Sequence, residues 1–236
     1  MLRGLFNEPK RIDSGLLLEA GNAVRTYMKN VESERIHLAS SDYTKFHRQA
    51  IWSKGFIDAL DELEQSKFCC ERYGERIRKA YLEEMNPEET EVYQGFVYFY
   101  KNAFIRLFSI LDKLGTFMND LFGLKTETVK SRFSYFTVLR HMHEHHIHGP
   151  LELQLYTLKM DYKEPLERLR NLRNVEIHYI NAEMLDDLMH KDPMLGERIH
   201  IENVQSNLSD LQQGFDMVCR TLTIAFTYIT AYVTKG

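Results

Sequence analysis

Apolar residues recur every three or four positions through most of the chain, and that spacing predicts helices rather than strands. Leu16, Leu17, Ala20, Val24, Tyr27 and Val31 form a first stripe, and Phe46, Trp52, Phe56, Leu60 and Leu63 a second. Residues 14–81 are therefore expected to hold two helices and a short charged continuation. At EEMNPEE the pattern stops. Asn86-Pro87 ends one segment, and Glu88 and Glu89 suit the first turn of the next, where carboxylates face the positive end of the helix dipole. The clearest stripe follows, through Val92, Phe96, Phe99, Ala103, Leu107, Ile110, Leu114, Phe117 and Leu121. It predicts one long helix, and Tyr100, Phe104 and Phe108 lie off the stripe, so this helix should pack on several sides. Gly123 should end it. Val204, Leu208, Leu211, Phe215, Val218, Leu222, Ala225, Ile229 and Val233 repeat the pattern near the C-terminus. Between the two long helices, TETVKSRFSYFTVLRHMHEHH reads as helical. GPLELQLYTLKM, with its alternating leucines, fits helix or strand. KEPLERLRNLRNVEIHYI reads as a helix with Pro165 in its first turn. The prediction is an all-α, up-and-down helical bundle over residues 88–236, with residues 1–87 as an N-terminal helical extension packed on that core.

Composition narrows this picture only a little. With 236 residues, 44% hydrophobic and 27% charged, the chain can bury a real core as one large domain or two small ones. A net charge of −4 and a pI near 6.2 disfavour a surface coated in basic residues, so any nucleic-acid contact is expected in a confined cleft. Three cysteines, Cys69 and Cys70 side by side and Cys219 far away, make neither a disulfide framework nor a CxxC pair, which suits a reducing cytoplasm. The opening MLRGLFNEPKRIDSG lacks the apolar core of a signal peptide, and LTIAFTYITAYV is too short to span a bilayer. The expectation is a soluble cytoplasmic protein without a membrane partner.

Two stretches carry candidate chemistry. The first is RHMHEHHIHG, from Arg140 to Gly149. On a continuous helix His141 and His145 would share a face, as would Glu144 and His148, and imidazole pairs at that spacing can hold zinc or nickel. A metal site needs three or four convergent ligands, whereas HExxH is absent and no cysteine lies nearby. His141, His145 and His148 stand as metal candidates against the alternative of a solvated, histidine-rich helix end. The second stretch is RLRNLRNVEIHYI, where Arg173 is followed at once by Asn174 and five positions on by His178. Asn174 and Arg170 fall on the face of His178, while Arg173 lies about 140° round the helix. Lys163 and Arg168 add positive charge nearby, but Asp161, Glu164 and Glu167 offset it, so that part reads as a solvated charged face. The alternative for the pair itself is a half-buried histidine bonded to a carboxylate, with the arginine paired to Glu176 or Glu167.

LRNLRNVEIHYI resembles the RNxxxH form of the arginine–spacer–histidine motif of the HEPN superfamily, helical domains of prokaryotic toxins, abortive-infection proteins and RNA-processing nucleases. The order of parts over residues 88–236 is similar too: an aromatic-rich helix containing FIRLFSILDKLGTFMNDLFGL, a motif helix, then a long closing helix. Its LDKLG stretch is similar to one bacterial branch. The resemblance implies a metal-independent endoribonuclease that needs no cofactor and leaves 2′,3′-cyclic phosphate ends, as a toxin or defence component. It also implies a homodimer with a composite site, RNA as substrate and an antitoxin as a partner. In such chemistry His178 transfers protons, because imidazole titrates near neutral pH. Arg173 grips the phosphate bidentately, Asn174 orients the imidazole or holds the phosphate, and Arg170 supports substrate binding. The competing expectation is a non-catalytic RNA- or nucleotide-binding protein, or a helical scaffold dimer.

Overall fold

Seven α-helices run through the residues that the computed structural model describes, which are 2–35, 43–178, 200–201 and 203–234. They are α1 (Gly15–Arg35), α2 (Tyr43–Gly74), α3 (Pro87–Phe122), α4 (Tyr135–Glu144), α5 (Gly149–Asp161), α6 (Lys163–His178) and α7 (Val204–Val233). The fold is all-α; among the described residues the only β-type pairing is an isolated bridge between Tyr81 and His200. GPLELQLYTLKM is helical because Leu151, Leu155 and Leu158 step by four and three onto one buried face, leaving Leu153 exposed. Among the described residues no helix is long and apolar enough to cross a membrane.

Local chemistry sets the ends of α3. Pro87 occupies its first position, and Asn86 Oδ1 accepts the Glu89 N–H at 2.8 Å. Glu89 in turn accepts the backbone N–H groups of Arg78 and Lys79, so the same first turn holds the preceding loop. At the far end Gly123 takes a φ of +61°, and the Leu124 N–H reaches back to the Asn119 carbonyl at 3.0 Å. The segment before α5 departs from expectation. α4 begins only at Tyr135, behind a capping box of Ser134 and Thr137, and ends at Glu144 rather than running on through the histidines. His146 and His148 adopt left-handed backbone, with φ of 50° and 53°. That turn breaks the helix without any glycine to announce it.

The chain forms two compact units, one of Met1–Arg11, Leu63–Arg106 and Lys163–Phe215, the other of Ile12–Glu62, Leu107–Tyr162 and Asp216–Gly236. α2, α3 and α7 each contribute to both. In the first unit α3 buries Tyr93, Phe96, Tyr100 and Phe104, with Phe96 stacked on both tyrosines. Phe6 meets Phe68 and Tyr73 edge-on, and Arg3 and Arg11 both clamp Glu64. Burial alone would raise the Glu64 carboxyl, but the hydrogen bonds and charges of the two arginines outweigh it and hold the group below its ordinary value.

In the second unit Phe117 contacts Tyr27, Phe56 and Phe226, whose burial contributes about 1.5–3 kcal/mol per ring, and half-buried Trp52. The LDKLG stretch lies beside it. Leu111 and Leu114 are buried, and Asp112 Oδ1 accepts the Tyr135 N–H at 3.1 Å. A Cβ on Gly115 would stand 2.7 Å from Tyr135 Cα, so only glycine admits this approach. LDKLG therefore seats the start of α4. Cys69, Cys70 and Cys219 are buried thiols.

Candidate functional site

α6 presents Leu166 and Leu169 to the core, and the same stripe continues by helical steps to Arg173 and Glu176. The helix thus turns from apolar to polar along its inward-leaning side. Its rotation is fixed by Arg168, whose Nε and Nη2 donate to the two carboxylate oxygens of nearly buried Asp210 on α7, both at 2.7 Å. Glu164 lies farther off, at 4.0 Å. Arg168 is exposed, in keeping with its reading as part of a solvated charged face, and it also anchors the helix, because its partner comes from a helix 42 residues away in sequence. Arg173 and Asn174 are half-buried and Arg170 is exposed. Arg170, Asn174 and His178 succeed one another at four-residue steps along one line of the helix. His178 is the last residue of α6, and its side chain lies outside the described residues.

Beside the polar part of α6 is a cavity of about 580 Å³, lined by Glu176 and by Gln94, Tyr98, Lys101, Asn102 and Ile105 of α3. Lys101 Nζ pairs with Glu176 Oε2 at 3.2 Å, and the two side chains are only 14% and 26% exposed. Asn102 Oδ1 accepts from Arg106 Nε at 2.6 Å and from Ser66 Oγ at 2.9 Å, which leaves its Nδ2 as the group it can still offer. Tyr98 is 64% exposed. These α3 residues were not singled out from the sequence, although positions 94, 98, 101 and 105 step by four, three and four. They are the stripe that the buried aromatics of α3 leave uncovered.

The histidine run is arranged differently. The rings of His141 and His145 lie 4.6 Å apart. His143 Nδ1 meets Oε2 of buried Glu152 at 2.8 Å, and its ring stacks on Tyr156 at 3.8 Å. His148 packs 4.0 Å from Phe122 with Nδ1 3.0 Å from the Tyr228 hydroxyl, and burial lowers its pKa. Because α4 ends at Glu144, the helical register that would align Glu144 with His148 is broken. Among the described residues no group of three or more histidine, cysteine, aspartate or glutamate side chains could hold a metal ion.

The all-α architecture is that of HEPN domains, and the family comparison assigns the chain to them. Residues 52–230 match the Cthe2314-like HEPN family, and the chain belongs to it. The match starts inside α2, before the Asn86-Pro87 stop, and ends inside α7, so it includes Arg173, Asn174 and His178. No curated protein and no solved structure matches the chain.

Proposed function

We propose that the protein is a metal-independent endoribonuclease. The observation that carries this reading is the Arg-Asn-x-x-x-His spacing at the end of a helix that lies within the family match, with Arg173 on the stripe that leads to the polar cavity. In the reaction a base removes the 2′-hydroxyl proton, the 2′-oxygen attacks phosphorus, the bond to O5′ breaks, and an acid protonates O5′. The products are a 2′,3′-cyclic phosphate and a 5′-hydroxyl. His178 carries the proton transfers, a role typically worth about 10²–10⁴-fold. Arg173 stabilises the charge that builds on the phosphorane oxygens, and Asn174 orients the imidazole. One imidazole cannot act as base and acid at the same moment. A homodimer that brings two α6 helices together would supply both groups and would also overcome the angle between Arg173 and His178 on one helix. Arg170 lies on the Asn174 line and would hold the substrate backbone. Such an activity needs restraint in the cell, which fits a toxin or defence component held in check by an antitoxin.

Incubation of the protein with a mixed RNA pool, with and without EDTA, beside folded Arg173→Ala and His178→Ala variants, tests the proposal. Cleavage that persists in EDTA, leaves cyclic phosphate ends and disappears in both variants is expected. Binding without cleavage would favour the non-catalytic reading, for which the aromatic and amide groups of the cavity suffice; cleavage abolished by EDTA would overturn the metal-independent mechanism.

A further inference from the structure

The cavity beside α6 contains the chemistry that an unpaired nucleobase requires. Tyr98 offers an exposed aromatic face, Ile105 an apolar wall, Asn102 an amide donor fixed by two hydrogen bonds to its oxygen, and Glu176 a carboxylate that can accept from a base N–H. Lys101 supplies a cation already steered by its pairing with Glu176. A volume of about 580 Å³ is ample for one base. We infer that this cavity is a subsite for one splayed base of single-stranded RNA, stacked on Tyr98, with Glu176 and Asn102 meeting its polar edge. The inference rests on the nuclease reading of the adjacent motif and names its substrate class.

Geometry supports the coupling. Glu176 follows Arg173 by three residues on the same stripe of α6, a rise of about 5 Å, so a base in the cavity would place its own nucleotide's phosphate within reach of Arg173. A duplex cannot enter in this way. Its bases are stacked and their edges paired, and single-strand recognition is where aromatic stacking operates. The chain's net negative charge also leaves little diffuse attraction for a backbone, so local stacking must carry much of the selectivity.

The test uses a fluorescently labelled 2′-O-methyl octaribonucleotide, which has no free 2′-hydroxyl and so cannot be cut by the proposed route, and follows its binding by anisotropy at fixed salt. Wild-type protein is expected to bind the single strand more tightly than the blunt duplex of the same sequence. Tyr98→Ala should weaken single-strand binding roughly tenfold, while Tyr98→Phe, which keeps the ring, should bind as wild type. Equal affinity for the duplex, no change in Tyr98→Ala, or no binding of the single strand by wild type would each overturn the subsite. Because the probe is not cleaved, the two ideas fail separately. Tyr98-dependent binding with no cleavage of ordinary RNA would keep the subsite and remove the nuclease. Cleavage that needs Arg173 and His178 but ignores Tyr98 would do the reverse.

Discussion

The histidine run at the junction of α4 and α5 and the polar end of α6 both concentrate groups capable of chemistry, yet they differ in what those groups border. At the first, His143 is bonded to Glu152 and stacked on Tyr156, and His148 is wedged between Phe122 and Tyr228. Those side chains hold one another. At the second, Lys101 pairs with Glu176 and Asn102 accepts from Ser66 and Arg106, yet these groups, with Gln94 and Tyr98, also border open volume. The density of histidines is therefore a poorer guide to open volume than the direction in which polar groups face. Pairing is common to both regions; what separates them is that the paired groups at α6 also line a volume that a ligand could enter.

Exchanging the two losses tests that contrast most severely. His178→Ala should reduce RNA cleavage by about 10²-fold or more, whereas His143→Ala should leave the cleavage rate unchanged. His143→Ala instead strips a buried carboxylate of its partner, at a cost of about 1–3 kcal/mol, which thermal unfolding would register as a drop of roughly 2–4 °C per kcal/mol. If the two variants exchanged these phenotypes, the contrast would be inverted. A sharper version asks whether the α6 site is shared between protomers. Mixing and re-equilibrating equal amounts of wild-type and His178→Ala chains should leave about one quarter of the cleavage of an all-wild-type sample if each cut needs the histidines of both protomers, and about one half if each chain cuts with its own.

The smallest effect belongs to His148. Burial holds this imidazole below its ordinary value of 6.5, so the unfolded chain binds the proton at higher pH than the folded chain. Its contribution to stability is present above about pH 6.5 and is lost as the pH falls below it. Denaturant unfolding of wild type and His148→Asn across pH 5–8 should show a shallower acid slope in the variant, asparagine being chosen because it tolerates left-handed backbone.

Helix periodicity made α1, α2, α3, α6 and α7 legible from sequence, because each has a long stripe whose burial requires one face. Asn86-Pro87 and Gly123 marked the ends of α3 for reasons visible in three or four residues. The stop after Glu144 was not legible, since histidines at 146 and 148 take a conformation that glycine usually signals. LDKLG could be noticed but not explained, because its partner is Tyr135, brought in only by folding. Spacing alone singles out Arg173 and Asn174 as candidates, while the α3 side of the cavity is not legible in this way, because it lies on a polar line between apolar stripes. Glu176 was considered only as a partner for an arginine. The structure shows it paired with a lysine on another helix.

The buried cysteines have a practical consequence. Burial pushes the Cys69 thiol up to about 11 and that of Cys70 well above its ordinary value, and the thiolate is the species that alkylates. With Cys219 also enclosed, the native chain offers almost no background to maleimide reagents near neutral pH. A single Val129→Cys replacement, at a site 69% exposed, would then be the one reactive handle per chain. Spectroscopic labels could be attached there without first removing any native cysteine, and the separation between two such labels would measure how a pair of chains assembles.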